Sequence, residues 1–178
     1  MAVWIALFRG INVGGKNVLP MANLRETLKS AGLENVQTYI QSGNVVFESS
    51  ARSAESLRQK LITVIEDRAG LSVDVIVFSK KHFLSAIEEN PFPEATAEPK
   101  SLHFYFLGSA AKTADLTAIE NAASKTERYH LTRRVFYLHA PDGIGRSKLA
   151  ANTEKYLGVS ATARNYRTVD RLRAMVTA

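Results

Sequence analysis

Apolar residues fall into short runs and helical stripes, separated by glycine, proline and polar clusters. Val3-Trp4-Ile5-Ala6-Leu7-Phe8 is a continuous apolar run of strand length and predicts a buried strand. Met21, Leu24 and Leu28 share one helical face behind Pro20, which suits a first turn, and Gly32 supplies a stop, so a helix is predicted over about 20–31. Val36 to Ile40 and Val45 to Glu48 predict two strands joined by Ser42-Gly43-Asn44, with Asn44 assigned to a left-handed turn position. Leu57, Leu61 and Ile65 mark a second helix with Ser53 as its N-cap and Gly70 after its end, and Val73 to Phe78 predicts another strand. The predicted order is βαββαβ.

A second pass of the same pattern follows. Ser79 to Glu89 predicts a connecting helix that stops before Asn90-Pro91-Phe92-Pro93, and the proline-punctuated stretch to Pro99 marks the boundary. Residues 1–79 are thus one half, 80–100 the connecting helix and linker, and 101–178 a second half with C-terminal helices. In the second half Leu102 to Leu107 predicts a strand, Leu116, Ile119 and Ala123 a helix, and Arg128 to His139 a hairpin. Thr38 to Phe47 aligns without gaps on Arg128 to Tyr137, and Leu7-Phe8-Arg9-Gly10 resembles Tyr105-Phe106-Leu107-Gly108, which supports a structural duplication. Two polar junctions precede the last helices: Asp142 to Lys148 before Leu149, Tyr156, Leu157 and Gly158, and Thr162-Ala163-Arg164-Asn165 before Val169, Leu172 and Val176. Asn165 is placed as the N-cap of the final helix.

The chemistry concentrates at the junctions. Arg9-Gly10-Ile11-Asn12-Val13-Gly14-Gly15-Lys16-Asn17 follows the first strand and precedes the first helix, offering backbone N–H groups, a guanidinium and an ammonium to an anion. Gln41 and Asn44 in the hairpin turn carry amides able to read a ligand, and Arg146, Lys148 and Arg164 are cations near helix starts that would clamp phosphates if they met the first loop. The plain alternative is a rigid turn whose polar groups bond the chain's own carbonyls, with the later cations on a solvated surface. The second half makes its corresponding turns, Gly108-Ser109-Ala110-Ala111-Lys112 and the Arg128–His139 hairpin, without these glycine loops, so folding alone does not require them.

Composition narrows the function classes. The 178 residues are 46% hydrophobic, enough for a sizeable core. The absence of cysteine excludes disulfides, thiolate nucleophiles and cysteine-held metals and is compatible with a reducing cytosol, where the protein is expected. No run reaches the length of a membrane span, so no membrane partner is expected. Residues 125–178 hold 11 Lys/Arg against 4 Asp/Glu, so the net charge of +6 sits in the last third and favours an anionic partner, including RNA. Gly10 to Lys16 satisfies seven positions of a P-loop, but Asn17 has no hydroxyl for Mg²⁺ and Val18-Leu19-Pro20 delays the helix. His82, His103, His130 and His139 lack metal spacing, Ser109-Ala110-Ala111-Lys112 lacks the companion motifs of acyl-transfer enzymes, and no acid pair stands out. No catalytic residue, metal site or cofactor is therefore assigned. Against RNA, no Lys/Arg-Gly-Phe-x-Phe strand occurs.

RGINVGGKN (9–17), YIQSGNVVF (39–47), GIGRSKL (143–149) and TARNYRTV (162–169) together resemble the bacterial family called domain of unknown function 1697, over residue 1 to about 176. The resemblance implies an α+β fold of two ferredoxin-like halves, and no activity, substrate or cofactor. The expectation is a small anionic, phosphate-bearing and possibly nucleotide ligand at Arg9, Asn12, Gly14, Gly15, Lys16 and Asn17 with Gln41 and Asn44, completed by Arg146, Lys148, Arg164 and Asn165. The alternatives are an RNA-binding protein using the basic last third, and a structural or protein-interaction module.

Overall fold

The computed structural model describes all residues, 1–178, and divides the chain into two compact units: Met1–Ser85 with Leu172–Ala178, and Ala86–Arg171. In the first unit β1 (Ala2–Arg9), α1 (Met21–Ser30), β2 (Glu34–Tyr39), β3 (Asn44–Ser49), α2 (Ala54–Ala69) and β4 (Asp74–Ser79) follow one another, and α3 (Lys80–Glu88) leads out. The strands pair antiparallel in the order β2-β3-β1-β4, so the N-terminal strand is central and both strand-to-helix crossovers lie on one face. That is the ferredoxin-like α+β arrangement.

The period-2 pattern explains the core. Trp4, Ala6 and Phe8 of β1 meet Val45, Phe47, Val75 and Val77 of its neighbours, under Leu24 and Leu28 of α1 and Leu57, Leu61 and Ile65 of α2. Ile5 and Leu7, on the opposite face of β1, are equally buried, which is why this strand reads as an unbroken apolar run. The helix ends follow their local chemistry. The Ser53 hydroxyl accepts from the Ser56 N–H at 3.1 Å, and Gly70 closes α2 in the left-handed conformation.

The second unit repeats the architecture with β5 (Leu102–Leu107), α4 (Leu116–Ala122), β6 (Arg128–Leu131), β7 (Val135–His139), α5 (Lys148–Leu157) and β8 (Ala161–Asn165), in the strand order β6-β7-β5-β8. A 3₁₀ turn, Pro93–Ala97, precedes it, and α6 (Tyr166–Thr177) follows. The polar stretch Thr162 to Asn165, expected to be a junction, is the strand β8, whose Ala163 pairs with Tyr105. The hairpin alignment read from the letters is out of register. Tyr39 pairs with Asn44 across a four-residue turn, whereas Tyr129, its gapless counterpart, pairs with Leu138. Duplication thus holds for topology and fails letter by letter.

On one face of the second sheet, Tyr105, Leu107, Phe136 and Leu138 pack against Ile119, Leu149 and Leu157. On the other, the Phe104 ring meets Tyr137 edge-on at 4.8 Å, and the Tyr137 hydroxyl donates to the Ala86 carbonyl at 2.6 Å, with burial pushing the phenol above its usual range. At the start of the hairpin Arg128 is paired with Glu94, lies 4.7 Å from the centre of the Phe92 ring and donates to His139 Nδ1 at 3.0 Å. His139 so bonded is neutral, its pKa lowered by desolvation and then by the Arg128 charge.

His103 on β5 is 7% exposed and its Nδ1 has no hydrogen-bond partner. Desolvation lowers its pKa, opposed by a backbone hydrogen bond at Ser101. A depressed histidine keeps its native state neutral while the unfolded chain takes up a proton near pH 6.5. Its stabilisation is therefore complete above that pH and declines as pH falls through 6.5 towards the native pKa. Chemical denaturation between pH 8 and 5 should show this loss, and His103→Leu should reduce it, leaving the part His139 contributes; an unchanged slope would assign the loss to other groups.

Candidate functional site

The junction between β1 and α1 is a miniature hairpin. Val13 and Lys16 form a bridge, with the Lys16 N–H donating to the Val13 carbonyl at 3.0 Å, and the Asn12 N–H donates to the Asn17 carbonyl at 3.1 Å as a second rung. Gly14 and Gly15 occupy the two turn positions with φ of 58° and 73°, the pair of positive values that a type I′ turn requires. Helix α1 begins only at Met21, behind a Pro20 N-cap that makes no side-chain cap bond, so the loop does not run directly into a helix N-terminus as a P-loop does.

Asparagine side chains hold this hairpin in place. Asn12 Nδ2 donates to the carbonyls of Leu19 and Gln41, both at 2.8 Å, and its Oδ1 accepts from the Leu19 N–H at 2.7 Å. Asn17 Nδ2 reaches back to the Gly10 carbonyl at 3.1 Å. Both asparagines have positive φ, 54° and 48°, a conformation their side chains help to stabilise by local bonding. Through Gln41 the Asn12 amide joins the first loop to the turn between β2 and β3.

That turn runs from Ile40 to Gly43, and the Gly43 carbonyl accepts from the Phe8 N–H at 2.9 Å. A Cβ on Gly43 would lie 2.5 Å from Ile11 Cδ1 and 2.7 Å from Phe8 Cβ, so only glycine fits. Asn44 does not take the left-handed position expected for it. It is the first residue of β3, fully buried, and its Nδ2 donates to the Tyr39 carbonyl and the Ser42 hydroxyl, each at 3.0 Å. The positive φ falls instead on Gly43 and on Ile40, at 48°, a strained value for a β-branched residue. The corresponding loops of the second unit contain no positive φ.

Of the eight expected residues in this unit, Asn12, Asn17 and Asn44 are occupied in holding the chain, and Arg9, half-buried, has partners within the protein. Gly14, Gly15, Lys16 and Gln41 are exposed, and no protein group bonds the Gly14 and Gly15 amides, the Lys16 ammonium or the Gln41 side chain. Val13, Val18 and Ile40 on the same two loops are 61%, 63% and 49% exposed.

The four expected residues of the second unit separate into two pairs. Arg146 and Lys148 are exposed beside a cavity of about 470 Å³ that also presents Glu127 and Asp142, so its charges are mixed. Arg164 is not a surface cation: it is 8% exposed, its Nη1 donates to Thr162 Oγ1 at 2.8 Å and the Ala163 carbonyl at 2.9 Å, and desolvation lowers its pKa to about 10. Asn165 caps α6, its Oδ1 accepting from the Thr168 N–H at 3.1 Å. A third set, Lys112, Arg133 and Arg134, lines a cavity of about 410 Å³. Sequence reasoning passed over these residues by treating the second unit's loops as the plain version of the first; the adjacent arginines were the available signal.

The family model described as Protein of unknown function (DUF1697) matches residues 1–137, and the chain belongs to that family. The structure of a conserved bacterial protein from Streptococcus pneumoniae is similar over 100% of this chain and 99% of its own, with 26% identity and a TM-score of 0.76. No curated protein matches the chain. The family match ends before the motifs at 143–149 and 162–169, which the likeness to the streptococcal structure spans. No helix is long and apolar enough to cross a membrane.

Asn12→Ala leaves the Leu19 N–H and two carbonyls without their partner and should destabilise the protein by about 2–3 kcal/mol in denaturant titration. Gly43→Ala adds both a collision and a strained φ and should cost about 2 kcal/mol or more. Wild-type stability in either variant would contradict the bonding described.

Proposed function

We propose that this DUF1697 protein binds a small anionic ligand, phosphate-bearing, at the outward tip of the β1–α1 hairpin. The observation that carries the reading is the pair of unpartnered Gly14 and Gly15 amides beside the free Lys16 ammonium, on a loop that Asn12 fixes to two other segments. A fixed loop presents its donors without ordering them at the moment of binding, which limits the entropy lost on association. Successive amides with a neighbouring cation suit a phosphate oxygen, and the Gln41 amide at the adjoining turn supplies a further donor.

A second reading rests on a separate observation. Val13, Val18 and Ile40 expose apolar side chains on the same loops, which suits a partner protein better than a small phosphate. The two readings differ in which side chains matter.

Thermal shift with nucleotides and sugar phosphates should identify a compound that, at roughly 100 times its Kd, adds about 2.7 kcal/mol to wild-type stability. Lys16→Ala should weaken it by roughly tenfold, and Val13→Ser with Val18→Ser should leave it unchanged. No response to any compound, or full response in Lys16→Ala, would overturn the ligand reading, and a complete lack of response would favour the partner protein.

A further inference from the structure

The second unit holds a concentration of charge that the first loop's chemistry does not touch. Lys112, from the β5–α4 loop, and Arg133 and Arg134, from the β6–β7 turn, line one cavity of about 410 Å³ together with Gly108 and Ser109. No carboxylate lines it, and none of the three cations takes part in an ion pair. The 470 Å³ cavity of the same unit, by contrast, sets Glu127 and Asp142 among its cations.

The walls are held firmly. The Leu107 N–H donates to the Arg134 carbonyl at 2.9 Å, the Gly108 N–H donates to the Ser160 carbonyl at 2.9 Å, and a Cβ on Gly108 would collide with the Ser160 hydroxyl. Thr132 closes the turn from both sides: its N–H donates to the Val135 carbonyl at 2.9 Å and its Oγ1 accepts from the Val135 N–H at 3.1 Å. Arg133 and Arg134 are therefore presented on a bonded turn and not on a loose loop. Three like charges around one concavity repel one another, and the field they focus is relieved by a multivalent anion. The volume lies within the ordinary range for small-molecule sites, about 300–1,000 Å³.

We infer that this cavity, lined by Lys112, Arg133 and Arg134, binds a ligand carrying two or more linked phosphate groups. Guanidinium forks suit paired phosphate oxygens, and a single phosphate would leave part of the positive charge uncompensated. The site is distinct from the Lys16 tip and stands without it. Linked phosphates occur in a small oligophosphate and in a nucleic-acid backbone; a depression of about 410 Å³ matches the size of the first.

Calorimetric titration of the intact protein with pyrophosphate, tripolyphosphate and a short single-stranded RNA tests this, with thermal midpoints to confirm folding. In the Lys16→Ala background, which removes the cation of the tip site, pyrophosphate or tripolyphosphate should still bind, and the affinity should fall roughly tenfold or more when Arg133→Ala/Arg134→Ala is added and fall also when Lys112→Ala is added. Arg167→Ala/Arg171→Ala, which removes the same charge from exposed positions elsewhere, should bind normally. The inference is overturned by absence of wild-type binding, by unchanged affinity in both cavity variants, by equal weakening in the Arg167/Arg171 control, by loss in Lys16→Ala alone, or by RNA binding with which neither oligophosphate competes.

Discussion

The first unit's loops depend on one side chain. Asn12 is the point where three stretches of main chain that the sheet leaves unpaired are joined: its own hairpin, the approach to α1 at Leu19 and the β2–β3 turn at Gln41. Three hydrogen bonds from one amide satisfy groups that would otherwise compete for water, and their geometry requires the left-handed backbone that asparagine tolerates better than most residues. With the inner carbonyls engaged, what faces outward is the tip, two glycine amides and a lysine. Structural and binding readings of this loop are therefore compatible: the asparagines hold the chain, and the tip keeps donors that no protein group bonds.

Two units of the same topology show what folding alone demands. Both sheets place the first strand centrally and both cover one face with two helices, yet the loops at the end of that strand differ. The first unit uses a four-residue turn between β2 and β3 and a run of positive φ values, including one on Ile40. The second closes its turn with Thr132 and places Arg133 and Arg134 where the first places Gln41 and Ser42. Backbone strain of this kind persists where the surrounding structure over-determines it, as the bonds from Asn12, Asn44 and the Phe8 N–H do at this turn. Each unit has thus made a different polar surface from the same frame.

Much of the frame was legible because burial imposes periodicity. The run Val3 to Phe8, the stripe Leu57-Leu61-Ile65 and the caps Ser53 and Gly70 lie where pattern and local chemistry put them. Strand β8 was not legible: five residues with Thr162, Arg164 and Asn165 have no apolar alternation, since Thr162 and Arg164 are buried through hydrogen bonds and not through hydrophobicity. The hairpin alignment misled for a related reason. Two strands with aromatic and β-branched residues match in letters at several offsets, and a shift in register changes which face each side chain takes. At the site, residue types pointed to polar loops, but only coordinates separate Asn44, consumed inside β3, from Gln41, exposed beside it.

Residue-resolved amide hydrogen exchange on the unliganded protein tests the central claim most directly. The Leu19 amide, bonded to Asn12 Oδ1 in a buried segment, should exchange slowly, while the Gly14 and Gly15 amides should exchange close to the rate of an unstructured peptide. Strong protection at Gly14 and Gly15 would show the tip amides already engaged within the protein and would contradict the account; so would an unprotected Leu19.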